Sequence, residues 1–252
     1  MEKIVDLTLD VALQIESDYA DALEAALISG MDGYIVQFSS APPLQVSLDF
    51  TKEIMRQLHL VWSRAIHNTG TLVLEDIRSS AKNSFLFDRF VVEYIATHGR
   101  QRAALIVQNT ATQLIDRVKR DQRNGVSLLA ALKNLAAEIP TIARVKSKII
   151  LATEVHSAAQ FASQKAAENS GLDLLKIWNS IPDERTRRFG LFGRQDAFNH
   201  LVMNQTRVSL SQSFAVPRKV GGYERLYFPG DPVGSAGNII NCRCVQTYER
   251  IR

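Results

Sequence analysis

Apolar residues recur at three- and four-residue intervals through the first 170 positions, a spacing that places them on one face of an α-helix. The pattern predicts helices at 6–28, from 49 onward, at 85–97, at 101–123, from 128, and over 141–169. The breaks expected between them are Gly30 with Gly33, the run 39–43, Gly70, His98-Gly99-Arg100 and Pro140. Residues 1–171 are therefore predicted to form a mainly α-helical N-terminal domain.

Local capping signals mark one connection in this series. Asn124-Gly125 closes the helix that ends near 123, because glycine is well suited to the left-handed cap position. Ser127 is a good N-cap for the next helix. A helix end and a helix start are thus expected within five residues.

Beyond Gly171 the helical pattern gives way to frequent glycines and prolines. Short β-prone runs occur at 174–178, 225–228 and 239–248. We therefore expect a small α+β C-terminal domain over residues 172–252. Trp178 has apolar neighbours at the start of this domain and is expected to be buried.

Positive charge is concentrated in the last part of the chain. Residues 183–252 hold 11 Lys/Arg against 6 Asp/Glu, whereas residues 1–182 hold 19 against 20. Ten of the 11 C-terminal bases are arginine, whose planar fork suits phosphates. The excess indicates a neighbouring polyanion such as DNA; a solvated face with internal ion pairs is the alternative.

Composition bears on the compartment in which the chain is made. No stretch approaches the roughly 20 apolar residues of a membrane-spanning helix, and the first residues carry acids where a signal peptide is basic. The chain has two cysteines, which is no disulfide framework. We expect synthesis in a reducing cytoplasm, with neither secretion nor membrane insertion.

Several motifs occur in a fixed order along the C-terminal part. They are Trp178, Asp183, Arg185-Thr186-Arg187, His200, Phe228-Pro229-Gly230-Asp231-Pro232 and Asn241-Cys242-Arg243-Cys244. This series resembles the minor head proteins (head morphogenesis proteins) of tailed phages, typified by the F protein of phage Mu. Upstream, Gly125-Val126-Ser127, Arg144 and Ile150-Leu151-Ala152-Thr153-Glu154 extend the likeness, which covers about residues 99–252.

The chain departs from the family pattern at two positions. Ala152 replaces the arginine of the Ile-Ala-Arg-Thr-Glu-like segment. His200 lies farther from the Asp-x-Arg-Thr-Arg element than in the relatives, so the chain has either an insertion there or a different histidine.

The resemblance implies a minor capsid protein located in the virion, in the head interior or at the portal. Its expected partners are the portal protein, with scaffold, major capsid protein and phage genomic DNA as further candidates, and no membrane during assembly. Some members of the family are thought to leave with the DNA at ejection. The helical half is the expected docking surface for the portal, because amphipathic helices offer apolar stripes. The basic part is the expected neighbour of DNA.

The Cys-x-Cys pair allows two interpretations. If 239–245 is a strand, Cys242 and Cys244 point to the same face, and a zinc ion could be bound if His200 and a carboxylate, Asp183 or Asp231, completed a tetrahedron. The spacing departs from the usual Cys-x2–4-Cys, and buried free cysteine is common. Core packing of two reduced thiols, with no cofactor, is the favoured interpretation.

The arginines of the basic part are candidate phosphate contacts. Nucleic-acid binding is expected, if it occurs, through Arg185, Arg187, Arg188, Arg207 and Arg218. Asp183 is expected to pair with a nearby arginine and to order a turn.

Catalytic motifs at recognisable spacing are absent from the sequence, so the chain is predicted not to be an enzyme. Two alternative functions stay open. One is a metal-dependent nuclease using Asp183, Glu184, Asp196 and His200. The other is a plain nucleic-acid-binding module.

Overall fold

The computed structural model describes residues 2–38, 44–77, 84–181, 198–219 and 221–251. It is mainly α-helical and ends in small antiparallel sheets, which confirms the predicted fold class. The helices are α1 Glu2–Phe38, α2 Leu44–Asp76, α3 Ser84–Tyr94, α4 Arg100–Arg123, α5 Leu128–Glu168 and α6 Ala236–Ile239. The strands are β1 Leu174–Asn179, β2 Thr206–Ser209, β3 Phe214–Pro217, β4 Tyr223–Leu226 and β5 Val245–Arg250.

Two glycines predicted to end helices lie inside them instead. α1 continues through Gly30, and α2 continues through Gly70. A Cβ atom at Gly30 would lie 2.2 Å from the Phe50 ring, and one at Gly70 would lie 2.3 Å from the Phe87 ring. Both glycines therefore admit an aromatic ring against the helix backbone, and the missing side chain serves packing rather than termination. The predicted end of α1 at Gly30 and Gly33 is wrong.

Two further predicted breaks are also wrong. His98-Gly99 belongs to a π-helical turn, Ile95–Gly99, which leads directly into α4 at Arg100. Pro140 lies within α5, which continues to Glu168. A proline removes one backbone donor from a helix without necessarily ending it, because neighbouring packing can hold both sides in line. The run 39–43 lies outside the described residues.

The capping predictions are confirmed. Gly125 has a φ of +82°, in the left-handed region that glycine adopts without strain. The Ser127 hydroxyl accepts a hydrogen bond from the backbone N–H of Ala130 at 3.3 Å, which caps the first turn of α5.

The C-terminal strands form two antiparallel sheets. β1 is the central strand of the first, between β2 and β5, and β3 pairs with β4 in the second. The predicted strand at 174–178 is confirmed, whereas only the last part of the 239–248 run is a strand. Ile239 ends α6, and Asn241 takes a positive φ of 55°. The two cysteines therefore precede β5, and the prediction that they lie in it is wrong.

By internal contacts the described chain separates into two compact units. Unit 1 comprises Met1–Ile15, Trp62–Tyr94 and Ala152–Arg252, and unit 2 comprises Glu16–Val61 and Ile95–Leu151. The C-terminal strands thus belong to a unit that also contains helical segments of α1, α2, α3 and α5. The transition from helix to strand does occur at Gly171, but independent folding of 172–252 stays a prediction.

Each unit has its own apolar core. In unit 2, Leu23, Leu27, Ile54 and Leu58 are fully buried. In unit 1, the rings of Trp62, Tyr94 and Phe161 pack edge to face. Among the described helices, none combines the length and the apolar character that crossing a bilayer requires.

Candidate functional site: a buried histidine–cysteine cluster

The motif residues of the C-terminal region converge in unit 1. Trp178 lies on β1, His200 immediately precedes a 3-10 turn at Leu201–Met203, and Cys242 and Cys244 lie on the segment between α6 and β5. Trp178 is fully buried, which confirms that prediction. Its ring packs edge to face on His200 and on Phe214, at centroid distances of 5.7 Å and 5.2 Å. Residues up to 66 positions apart thus share one core.

The His200 imidazole contacts both thiols. Its Nδ1 atom lies 3.6 Å from Cys242 Sγ and 3.6 Å from Cys244 Sγ. All three side chains are buried, and both cysteines are free thiols. Asn241 has a left-handed backbone conformation, which turns the chain just before Cys242. The two cysteines therefore lie on a loop, not on a strand, and their side chains point into the core.

Asn238, at the end of α6, fixes the orientation of the imidazole. Its side-chain NH2 donates to Glu224 Oε2 and to the Pro217 carbonyl, both at 3.1 Å. Its oxygen therefore faces His200 Nε2, at 2.9 Å, and can only accept. The hydrogen must lie on Nε2, which leaves Nδ1 as the atom that faces the two sulfurs.

Glu224 extends this network toward the surface. It accepts from the Ser235 backbone N–H at 2.9 Å and pairs with Arg218 at 3.4 Å. Burial raises the pKa of Glu224, but hydrogen bonds from Ser235 and Asn238 and the Arg218 charge outweigh it, and the pKa lies below its usual value. An ionised carboxylate thus holds Asn238 in place.

The two thiols differ in acidity. The hydrogen bond from Cys244 lowers the pKa of Cys242 well below its ordinary value against the effect of burial, and His200 and His156 add to this. The same hydrogen bond, together with burial, raises the pKa of Cys244 well above its ordinary value. The pair therefore favours one thiolate, at Cys242, and one thiol.

His156 borders the cluster from α5. Only 7% of its surface is exposed, and its interaction with Cys242 contributes to the low pKa of that thiol. Nearby, Ser157 donates to the Gly230 carbonyl at 2.7 Å, and Thr153 accepts from the Asn241 backbone N–H at 3.2 Å. These contacts attach α5 to the loops that carry the Pro-Gly-Asp-Pro and Asn-Cys-Arg-Cys motifs.

The remaining candidate residues from the sequence lie elsewhere. Asp231 is buried, and its oxygens accept from the backbone N–H groups of Tyr227 and Val233, so it does not join the cluster as a fourth ligand. Arg207 pairs with Glu249 at 3.3 Å, and Arg218 pairs with Glu224. Six of the candidates fall outside the described residues: Asp183, Glu184, Arg185, Arg187, Arg188 and Asp196.

Comparison with known proteins gives one similarity over most of the chain. The chain is 22% identical over 197 residues to the uncharacterized protein YqbB of Bacillus subtilis (strain 168). The match covers 78% of this chain and 60% of that protein, so the chain spans less than two thirds of that protein's length. No family model and no solved structure matches the chain.

Proposed function

We propose that this chain is a minor head protein of a tailed phage that associates with the portal during procapsid assembly. The proposal rests on the motif series resembling that family. The observation that carries it is the convergence of Trp178, His200, Cys242 and Cys244 in one buried cluster. Motifs that matched by chance would have no reason to contact one another. The series therefore behaves as the parts of one structural module.

The helical unit 2 offers apolar side chains for a portal or scaffold partner. Its exposed large apolar residues include Val36, Leu48, Leu129 and Val145, each more than half exposed. Apolar surface on helices is what a docking partner covers. We assign portal contact to this unit.

Co-expression of the full chain with its cognate portal, followed by affinity capture, tests the proposal. We expect the two proteins to co-purify, and Leu129→Glu with Val145→Glu to weaken the complex. The matched control is Val202→Glu, an equally exposed apolar residue of unit 1. Failure of the full chain to co-purify with the portal contradicts the proposal. A truncation at Gly171 is unsuitable, because it removes the partners of Ser157 and Gln160 on α5.

Proximity to packaged DNA, and ejection with it, belong to the same proposal. Residues 183–252 carry a net charge of +5, which favours a polyanion. Arg207 and Arg218 already have carboxylate partners, so phosphate contact by them requires exchange of an ion pair. We expect weak duplex binding by the full chain that falls steeply with salt, because counterion release drives such binding. Salt-insensitive binding, or none at low salt, contradicts the DNA contact.

The two alternative functions predict different outcomes in assays of DNA cleavage, DNA binding and portal capture. A metal-dependent nuclease would cleave DNA with added Mg²⁺ or Zn²⁺ and lose that activity in Asp183→Ala. A plain nucleic-acid-binding module would bind duplex DNA without joining the portal. The proposed head protein joins the portal and has no turnover.

A further inference from the structure

The two thiols and the His200 imidazole have the spacing of ligands around one metal ion. Zn–S bonds of about 2.3 Å and Zn–N bonds of about 2.0–2.1 Å at tetrahedral angles place a sulfur and a nitrogen about 3.6 Å apart. His200 Nδ1 lies 3.6 Å from each sulfur. The three ligand atoms all lie within 4.8 Å of one another. The two nitrogen–sulfur distances match two edges of a zinc tetrahedron.

Asn238 supplies the outer support that a metal-binding histidine requires. Ligating imidazoles donate their second ring N–H to an oxygen, which fixes the tautomer and the direction of the lone pair. Here Nε2 donates to Asn238 Oδ1 at 2.9 Å, and Asn238 is held by Glu224 and Pro217. The Nδ1 atom is thereby presented to the side on which both sulfurs lie.

His156, on α5, is the candidate for the fourth corner; its ring nitrogens lie outside the group of ligand atoms within 4.8 Å of one another, so its side chain would have to rotate to complete the set. Its ring lies beside Cys242, and its Nε2 atom is buried without a hydrogen-bond partner among the described residues. Burying such a nitrogen unpaired is costly. A metal bond would give it a partner. At Gly230 a Cβ atom would lie 2.7 Å from the His156 ring, so this glycine leaves room for the imidazole.

We propose that Cys242, Cys244 and His200 bind one Zn²⁺ ion, and that His156 rotates in to complete a Cys2His2 set. The ion would join α5 to the segment before β5, and it would act structurally, because four protein ligands leave no open position for substrate. The proposal is independent of the phage function. It replaces the carboxylate considered from sequence with a histidine from the helix.

Metal titration of the full chain tests the site. The protein is reduced, stripped with a chelator and titrated with Co²⁺, then with Zn²⁺. We expect one equivalent of Co²⁺, a thiolate-to-cobalt charge-transfer band, intense d–d bands of tetrahedral geometry, and displacement by Zn²⁺. The comparison protein carries Cys242→Ser with Cys244→Ser. Uptake by the wild-type chain no greater than by that variant overturns the proposal.

A histidine substitution tests the fourth ligand and stays informative if the thiol variant fails to fold. His156→Gln is compared with His59→Gln, an exposed histidine on α2. We expect His156→Gln to lower the affinity of the protein for Zn²⁺ at least about tenfold. We expect His59→Gln to leave that affinity unchanged. Equal zinc affinity in His156→Gln and wild type overturns the assignment of His156.

Discussion

Different kinds of buried side chain stabilise the helical unit 2 and the C-terminal part of unit 1. Unit 2 buries leucine and isoleucine side chains that repeat along α1 and α2, such as Leu23, Leu27, Ile54 and Leu58. The C-terminal part buries polar groups, among them His200, Asn238 and Lys176, each with specific partners. Apolar contacts tolerate exchange of similar residues, whereas a buried polar group needs its own partner. The second region should therefore be less tolerant of substitution.

The largest expected effect is loss of Trp178. Trp178→Ala removes a fully buried indole that contacts His200 and Phe214, so we expect a loss of about 3–5 kcal/mol in the free energy of unfolding. Urea denaturation followed by circular dichroism measures it. The control Val202→Ala, at an exposed position, should stay within about 0.5 kcal/mol. A loss below about 1 kcal/mol for Trp178→Ala would show that the motif core is not the stabilising centre of its region.

Gly30→Ala probes the helical region. Alanine favours a helix over glycine by about 1 kcal/mol, but its Cβ atom would lie 2.2 Å from the Phe50 ring. Overpacking of this kind costs about 1–3 kcal/mol, so we expect a net loss of stability.

The control is the same substitution in a Phe50→Ala background. There the ring is gone, and Gly30→Ala should stabilise by up to about 1 kcal/mol. Stabilisation in the wild-type background would mean that Gly30 does not hold a ring contact.

Lys176 tests the cost of a buried charge in the C-terminal part. Its ammonium donates to the Tyr227 carbonyl at 2.9 Å and lies over the Phe214 and Tyr227 rings. Burial lowers its pKa to about 8, with Glu168 and Asp231 partly opposing the shift. Between that value and the ordinary 10.5, the unfolded chain binds more protons than the folded one, so stability rises with pH.

The measurement is the difference in unfolding free energy between wild type and Lys176→Met at about pH 7 and about pH 10. The difference should shift in favour of wild type at the higher pH. Taking the difference between the two proteins removes the contributions of other titrating groups, namely the cysteines and Tyr248, whose pKa is raised by burial. A difference independent of pH would contradict the lowered pKa.

The smallest effects are expected at the surface ion pairs. Arg207 and Glu249 are both about half exposed, so Arg207→Ala should cost no more than about 0.5 kcal/mol. Arg218→Ala should cost about 1 kcal/mol, because its partner Glu224 is buried and supports Asn238. Thermal unfolding of the two variants and of wild type, at low and at high salt, measures the two stability costs. Equal costs would place the Arg218 pair outside the network of the cluster.

Periodicity predicted the helices well and their interruptions poorly. The spacing of apolar residues is local information, and α1, α2 and α5 follow it. Whether Gly30 ends a helix depends on Phe50, which is 20 residues away in sequence and contacts it only in the folded chain. Pro140 likewise lies inside α5, although proline by its local preference interrupts helices.

The site was predictable only where a motif marked it. Trp178, His200, Cys242 and Cys244 all stood out in the sequence, and the structure brings them together. His156 and Asn238 did not stand out. The first lies on an alanine-rich helix and the second on a four-residue helix, and neither has a local pattern that indicates a ligand or its support. Their roles arise from tertiary contacts.

The central claim is that the dispersed motifs are parts of one buried polar centre. The tautomer of His200 tests this most directly, because the contact with Asn238 places its proton on Nε2. In protein labelled with 15N-histidine, we expect His200 Nε2 to carry a proton, and Asn238→Ala to abolish that preference. The His200 signals are assigned as those that disappear from the spectrum of the His200→Gln variant. A His200 protonated on Nδ1 alone would contradict the account.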